Sequence, residues 1–152
     1  MISIELARAL RDSGLLWRPA SGDAFRIDRP EVESDVFTVS DMTVEAHVFS
    51  TGTILGFNGT TEWALDSVGI EESVWLPRED QLRELLSSTF RTLIRETAVD
   101  DTTVFRVHAV FGGRSHAFSG ADAADAYGRA ALALIGLSAA APDDLDLEGA
   151  LP

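Results

Sequence analysis

The sequence predicts an α+β fold: an antiparallel sheet built from hairpins, with N-terminal, central and C-terminal helices packed on it. Three observations carry this expectation. Strand-like runs come in pairs around short turns and do not alternate with helices, which disfavours a doubly wound parallel sheet. Helical periodicity appears at the start, in the middle and near the end of the chain. The chain has 152 residues, 45% of them hydrophobic, so it is one domain long and needs no metal or disulfide to bury a core.

Ser3 to Asp12 reads as a helix, with Leu6, Leu10 and one of Ala7 or Ala9 on one face and Gly14 placed to stop it. Leu15 to Pro19 then runs extended into the turn cluster Ser21-Gly22-Asp23. Phe25 to Asp28 is a short strand, Arg29 to Asp35 a polar loop, and Val36 to Ser40 another strand. Val44 to Ser50 and Thr53 to Phe57 flank Thr51-Gly52, a hairpin signal. With a two-residue loop, Val44, Ala46, Val48, Leu55 and Phe57 share a purely apolar face, which is expected to meet the core. Glu45, His47, Phe49 and Ile54 fall on the other face, expected to be only partly covered.

Asn58-Gly59 is a turn, and Thr60 or Thr61 can cap a short helix running to Val68. Val74 to Leu76 is extended. Pro77 suits the first turn of the next helix, where no amide hydrogen bond is lost. Glu79 and Asp80 then sit at its positive end, and Leu82, Leu85, Leu86 and Thr89 form its buried stripe. A strand follows at Phe90 to Thr97, and Val99 to Thr102 is a turn. Thr103 to Phe111 and Arg114 to Ser119 form a hairpin about Gly112-Gly113, with Phe105, Val107, Ala109, Phe111 and Phe118 on one face. The last helix is expected over Ala121 to Leu137, where Ala123, Tyr127, Ala130, Leu134 and Leu137 make a core stripe. Residues 1–137 thus read as a single domain, and 138–152 as a mobile acidic tail.

Composition removes whole classes of chemistry. The chain has no Cys, hence no thiol nucleophile, disulfide or thiolate ligand, and no Lys, hence no Schiff base and no P-loop lysine. Its 12 cations are all Arg, set against 25 acids, for a net charge of −13. Such a field opposes nucleic acid and favours a partner with a basic surface. No signal-peptide pattern opens the chain, and the longest near-apolar run, Ala130 to Ala141, falls short of the roughly 20 residues a spanning helix needs. A cytoplasmic, membrane-free protein is the expectation. There is no Gly-x-Ser-x-Gly, no Gly-x-Gly-x-x-Gly and no EF-hand spacing, so no cofactor is expected.

Few residues remain as candidates. His47, His108 and His116 lack metal-ligand spacing, and no metal site is expected. A two-residue hairpin loop sets His108 and His116 on opposite faces; a three-residue loop would set them together. Glu62 and Asp66 lie one helical turn apart around Trp63, a pattern fit for an acid/base pair or equally for a solvated helix face. Trp17, Trp63 and Trp75 lie beside loops and helix starts, where Trp serves either as core or as a binding anchor. Asp143 to Glu148 alternates acid with Leu, as a docking peptide or an unstructured end would.

The run SDMTVEAHVFSTGTILGFNGTTEWALDSV, Ser40 to Val68, followed by VWLPREDQLRELL, Val74 to Leu86, resembles a family of small acidic actinobacterial proteins frequently labelled pilus assembly protein CpaE. The opening helix and the Leu-Trp-Arg-Pro segment extend the resemblance towards the N-terminus. It implies a link to pilus assembly or secretion and carries over no catalytic residue. The MinD-like ATPase that usually bears this label needs a Walker lysine, which this chain lacks. In kind, the chain is also similar to secretion chaperones and YbjN-like proteins. The expected function is a non-enzymatic protein-binding module, adaptor or chaperone-like, acting through Phe49, Ile54, Trp17, Trp63 and Trp75. The alternative is a small-molecule-binding protein or weak hydrolase with a pocket around Trp63, using Glu62, Asp66 and Arg78. A homodimer is a third expectation.

Overall fold

Hairpin parity and helix periodicity translate into three helices and three antiparallel three-stranded sheets. The computed structural model describes residues 1–30, 32, 35–40, 44–57 and 67–140. In chain order the elements are α1 (Ile4–Asp12), β1 (Ala24–Ile27), β2 (Phe37–Thr38), β3 (Val44–Phe49), β4 (Gly52–Phe57), β5 (Ser67–Gly69), β6 (Ser73–Leu76), α2 (Glu79–Leu86), β7 (Phe90–Thr97), β8 (Thr103–Phe111), β9 (Arg114–Gly120) and α3 (Ala123–Ala140). Sheet A is ordered β2-β1-β6, sheet B β3-β4-β5 and sheet C β7-β8-β9.

Sheet A divides the apolar interior in two. Phe25 stands opposite both Trp75 and Phe37, so these rings line one face with Ile27. That face meets Val44, Leu55 and Val68 of sheet B, closing one buried cluster. Val74 and Leu76 alternate to the other face and join Ile2, Ala7 and Leu10 around α1, Leu82 and Leu86 of α2, and Tyr127 and Ala130 of α3. Sheet C adds Val107, Ala109 and Phe111 to the interior. A β-strand alternates its side chains, so β1 and β6 serve both clusters at once.

Several expectations need correction. The helix expected to reach Val68 gives way at its end to β5, where Val68 pairs with Leu55 and is buried; the rest of that segment lies outside the described residues. Pairing with β4 completes the sheet, and burial of Val68 there outweighs local helix periodicity. Pro77 lies before α2, not in its first turn: Arg78 is the N-cap residue, and its amide donates to the Gln81 side chain. The β3–β4 turn is Ser50-Thr51, one residue earlier than expected, which preserves the face assignment. Yet Val48 on the apolar face is 81% exposed, because the six-residue strands overhang the shorter sheet A beneath them. Likewise α3 outruns its support. It continues past Leu137 to Ala140, and Leu137 is left 46% exposed at the β8–β9 turn.

The C-terminal half follows expectation closely. Phe111 pairs with Arg114 across a two-residue turn whose glycines, Gly112 and Gly113, both take left-handed backbone (φ 59° and 70°). That register sets His108 opposite Ala117 and His116 opposite Ala109, so the two His lie on opposite faces.

Candidate functional site around a tryptophan pair

The segment after α1 cannot continue the helix. Gly14 takes φ 97°, and the chain runs extended from Leu15 to Pro19 across the end of sheet A. This lays Trp17 on the aromatic row. Its ring stacks parallel to Trp75, with centroids 6.3 Å apart and planes 5° apart, and tilts against Phe25 at 5.5 Å. Phe57 of sheet B packs against Phe25 and Phe37, extending the layer.

Asp23 fixes the arrangement. It is buried, and one carboxylate oxygen accepts from the Trp17 indole N–H (2.9 Å) and the Ala20 amide (3.0 Å). The other oxygen accepts from the Gln81 side-chain amide at 2.7 Å, with Arg78 3.6 Å away. A buried carboxylate is tolerable only when so satisfied. Asp23 therefore ties the Trp17 loop, β1 and the start of α2 together. Sequence reading passed over it as one more turn residue; nothing but the nearby Trp17 hinted at a partner.

The pair separates two hollows. One, of about 270 Å³, lies towards α1 and includes Ala7, Leu15, Ile70 and Ser73. The other, of about 350 Å³, lies towards α2 and includes Ala20, Gln81 and Leu85. Trp17, Trp75 and Leu16 line both. Leu16 is 83% exposed, and the Trp75 indole N–H is buried with no hydrogen-bond partner among the described residues. Glu71, Arg18 and Glu84 are exposed at the ends. Arg11 also lines the first hollow, but its charge is committed. Burial opposes that charge, and hydrogen bonds to Asp28 and Asp12 outweigh burial and raise the pKa. In turn the Arg11 hydrogen bond, helped by Arg8 against partial burial, holds the Asp28 carboxyl below the usual range.

Of the residues singled out in the sequence, the structure brings Trp17 and Trp75 together. Phe49 and Ile54 sit elsewhere, two rungs apart on the outer face of sheet B, with Phe49 55% exposed. Glu62, Trp63 and Asp66 lie outside the described residues. Arg78 belongs to the Asp23 cluster and also pairs with Asp80. Leu16, Ile70 and Gln81 complete the hollows without having been singled out, since isolated loop residues carry no periodicity. Among the described residues no three His, Asp or Glu side chains group to hold a metal, and no helix is long and apolar enough to cross a membrane. Comparison with protein-family models, with curated proteins and with solved structures finds no match.

Proposed function

We propose that this chain is a non-enzymatic protein-binding module, adaptor or chaperone-like, whose groove at the Trp17–Trp75 pair takes an apolar side chain of a partner. One observation carries the reading: Leu16 stands 83% exposed between two hollows that share a tryptophan wall, the one towards α1 mostly apolar. Trp set beside apolar hollows supplies large contact area at low entropic cost, and such anchors dominate protein interfaces. The net charge of −13 favours a basic surface around that anchor. The resemblance to the actinobacterial family favours a cytosolic partner from pilus assembly or secretion.

The test is affinity capture from the native cells with three full-length proteins: wild type, Leu16→Asp, and Phe49→Asp with Ile54→Asp. Circular dichroism checks that each is folded. The reading expects a stoichiometric protein that Leu16→Asp loses and the sheet B double variant keeps. Loss in the double variant alone would move the site to sheet B. Failure to capture any partner at low salt, with a metabolite raising the melting temperature through Trp75, would replace the reading by small-molecule binding. The unpaired Trp75 N–H beside a hollow of about 270 Å³ is the feature that would then matter.

A further inference from the structure

Sheet C differs from the rest of the molecule in charge. Between Ser87 and Gly120 lie four Arg and three acids, whereas the whole chain has 12 Arg and 25 acids. Elsewhere Arg8, Arg11, Arg29 and Arg78 each hold a carboxylate, while Arg18, Arg83 and Arg129 hold none among the described residues. On sheet C, Arg106 holds Glu96, but Arg91, Arg95 and Arg114 have no carboxylate partner among the described residues. Arg91 reaches the carbonyls of Ser88 and Phe90, and Arg95 only the Thr103 hydroxyl, at 3.3 Å. A chain with a twofold excess of acid has left these cations uncompensated.

Two of them, Arg91 and Arg95, lie on an open sheet edge; Arg114 is on β9, at the opposite edge. Strand β7 is eight residues long and pairs with β8 on one side; no other strand among the described residues pairs with it. Its bulge between Phe90 and Thr92 and its charged Arg91, Arg95 and Glu96 discourage indiscriminate edge pairing, so a strand added here has to match those charges. Leu93 and Arg95 share a face with Val107 and Phe105, while Thr92, Ile94 and Glu96 share the other. Leu93 and Ile94 are both partly exposed.

We propose that the β7 edge receives an extended segment of a partner protein as an added strand, in which acidic side chains alternate with apolar ones. The acidic row lies along Arg95 and towards Arg91; the apolar row lies along Ile94; the backbone ladder supplies the rest. A second copy of this chain fits poorly. Antiparallel pairing that keeps the faces matched sets Arg91 against Arg95 of the other copy when centred on Leu93. Centred on Ile94, it sets Arg95 against Leu93. Neither register supplies an acid to these Arg. This surface is separate from the Trp17–Trp75 groove, so either assignment can fail alone.

Fluorescence anisotropy with the full-length protein at low salt tests the proposal, using a labelled synthetic peptide of about ten alternating Asp and Val residues, a length that suits one strand. Saturable binding is expected. Arg91→Glu with Arg95→Glu should weaken it about tenfold, since opposed charges become like charges. Methylation of alternate peptide nitrogens should abolish it while leaving the charge intact. Equal binding by a Lys–Val peptide, undiminished binding by the methylated peptide, or no binding at all would overturn the proposal. If the wild type fails but a chain carrying Asp144→Asn, Asp146→Asn and Glu148→Gln binds, the edge belongs to the chain's own C-terminal segment instead.

Discussion

Single carboxylates hold the candidate site in shape. Asp23 accepts from three donors on two segments, so removing it strands the Trp17 indole, the Ala20 amide and the Gln81 side chain together. Asp23→Ala should cost about 3 kcal/mol in urea unfolding at neutral pH, the usual size for a lost buried hub of charged hydrogen bonds. Tryptophan fluorescence should shift with it, since the Trp17 indole N–H loses its hydrogen-bond acceptor. Asp28 makes a second prediction, about pH. Its folded pKa lies below the ordinary carboxylate value because Arg11 and Arg8 hold the charged form. Its contribution is therefore complete above the unfolded value of about 4 and disappears as pH falls through the folded value. Asp28→Asn should destabilise the protein at pH near 7, and the difference from wild type in urea midpoint should shrink as pH drops below about 4.

Elements meet through positions where no side chain fits. At the β9–α3 junction, a Cβ on Gly120 would lie 2.7 Å from the Ala126 amide nitrogen and 2.9 Å from the Asp122 carbonyl oxygen. Both are backbone atoms, so the first turn of α3 would have to move. Gly120→Ala should therefore lower stability by about 1–3 kcal/mol, measured by the urea midpoint. Gly128 is a useful contrast. A Cβ there meets the ends of the Leu6 and Ile2 side chains, which can rotate away, and Ala also favours the helix. The elements most legible in the sequence were those whose local signals agreed with their tertiary role. Of the two loop lengths open to the Gly112-Gly113 hairpin, the structure takes the two-residue one, because two left-handed residues in a row almost require glycine in a tight hairpin. β5 was missed because three residues carry no period, and their strand conformation comes from β4.

At the scale of the molecule, the division into two apolar clusters decides where the site lies. Trp17 packs on the aromatic face of sheet A, over Trp75 and Phe25, beside the cluster that sheet B closes. The three separate sheets also leave more edges than one continuous sheet would, and β7 is the longest of the exposed ones. The charge differs to match: acids outnumber Arg two to one over the whole chain, while Arg91 and Arg95 beside that edge hold no carboxylate among the described residues. The two proposed surfaces thus ask for different partners, an apolar anchor on a basic surround at the groove and an acidic strand at β7. Binding at the edge should weaken with salt, since exposed charges are screened over about 10 Å at 0.1 M.

By itself the sequence determined the fold class, the places of the three helices to within a few residues and the face parity of both hairpins. These follow from period, turn chemistry and parity, each readable within a few neighbouring residues. The same local signals pointed to a fourth helix ending at Val68, where the structure has β5. It also excluded cysteine and lysine chemistry outright. The tertiary structure alone decided that Trp17 and Trp75, 58 positions apart, stack against each other, and that Asp23 anchors Trp17. It alone decided that Phe49 and Ile54 belong to a different surface. Contacts between distant segments depend on how layers pack, and no local pattern encodes them. The overhanging ends at Val48 and Leu137 have the same cause: period tells which face is apolar, while the length of the supporting layer tells how much of that face is covered.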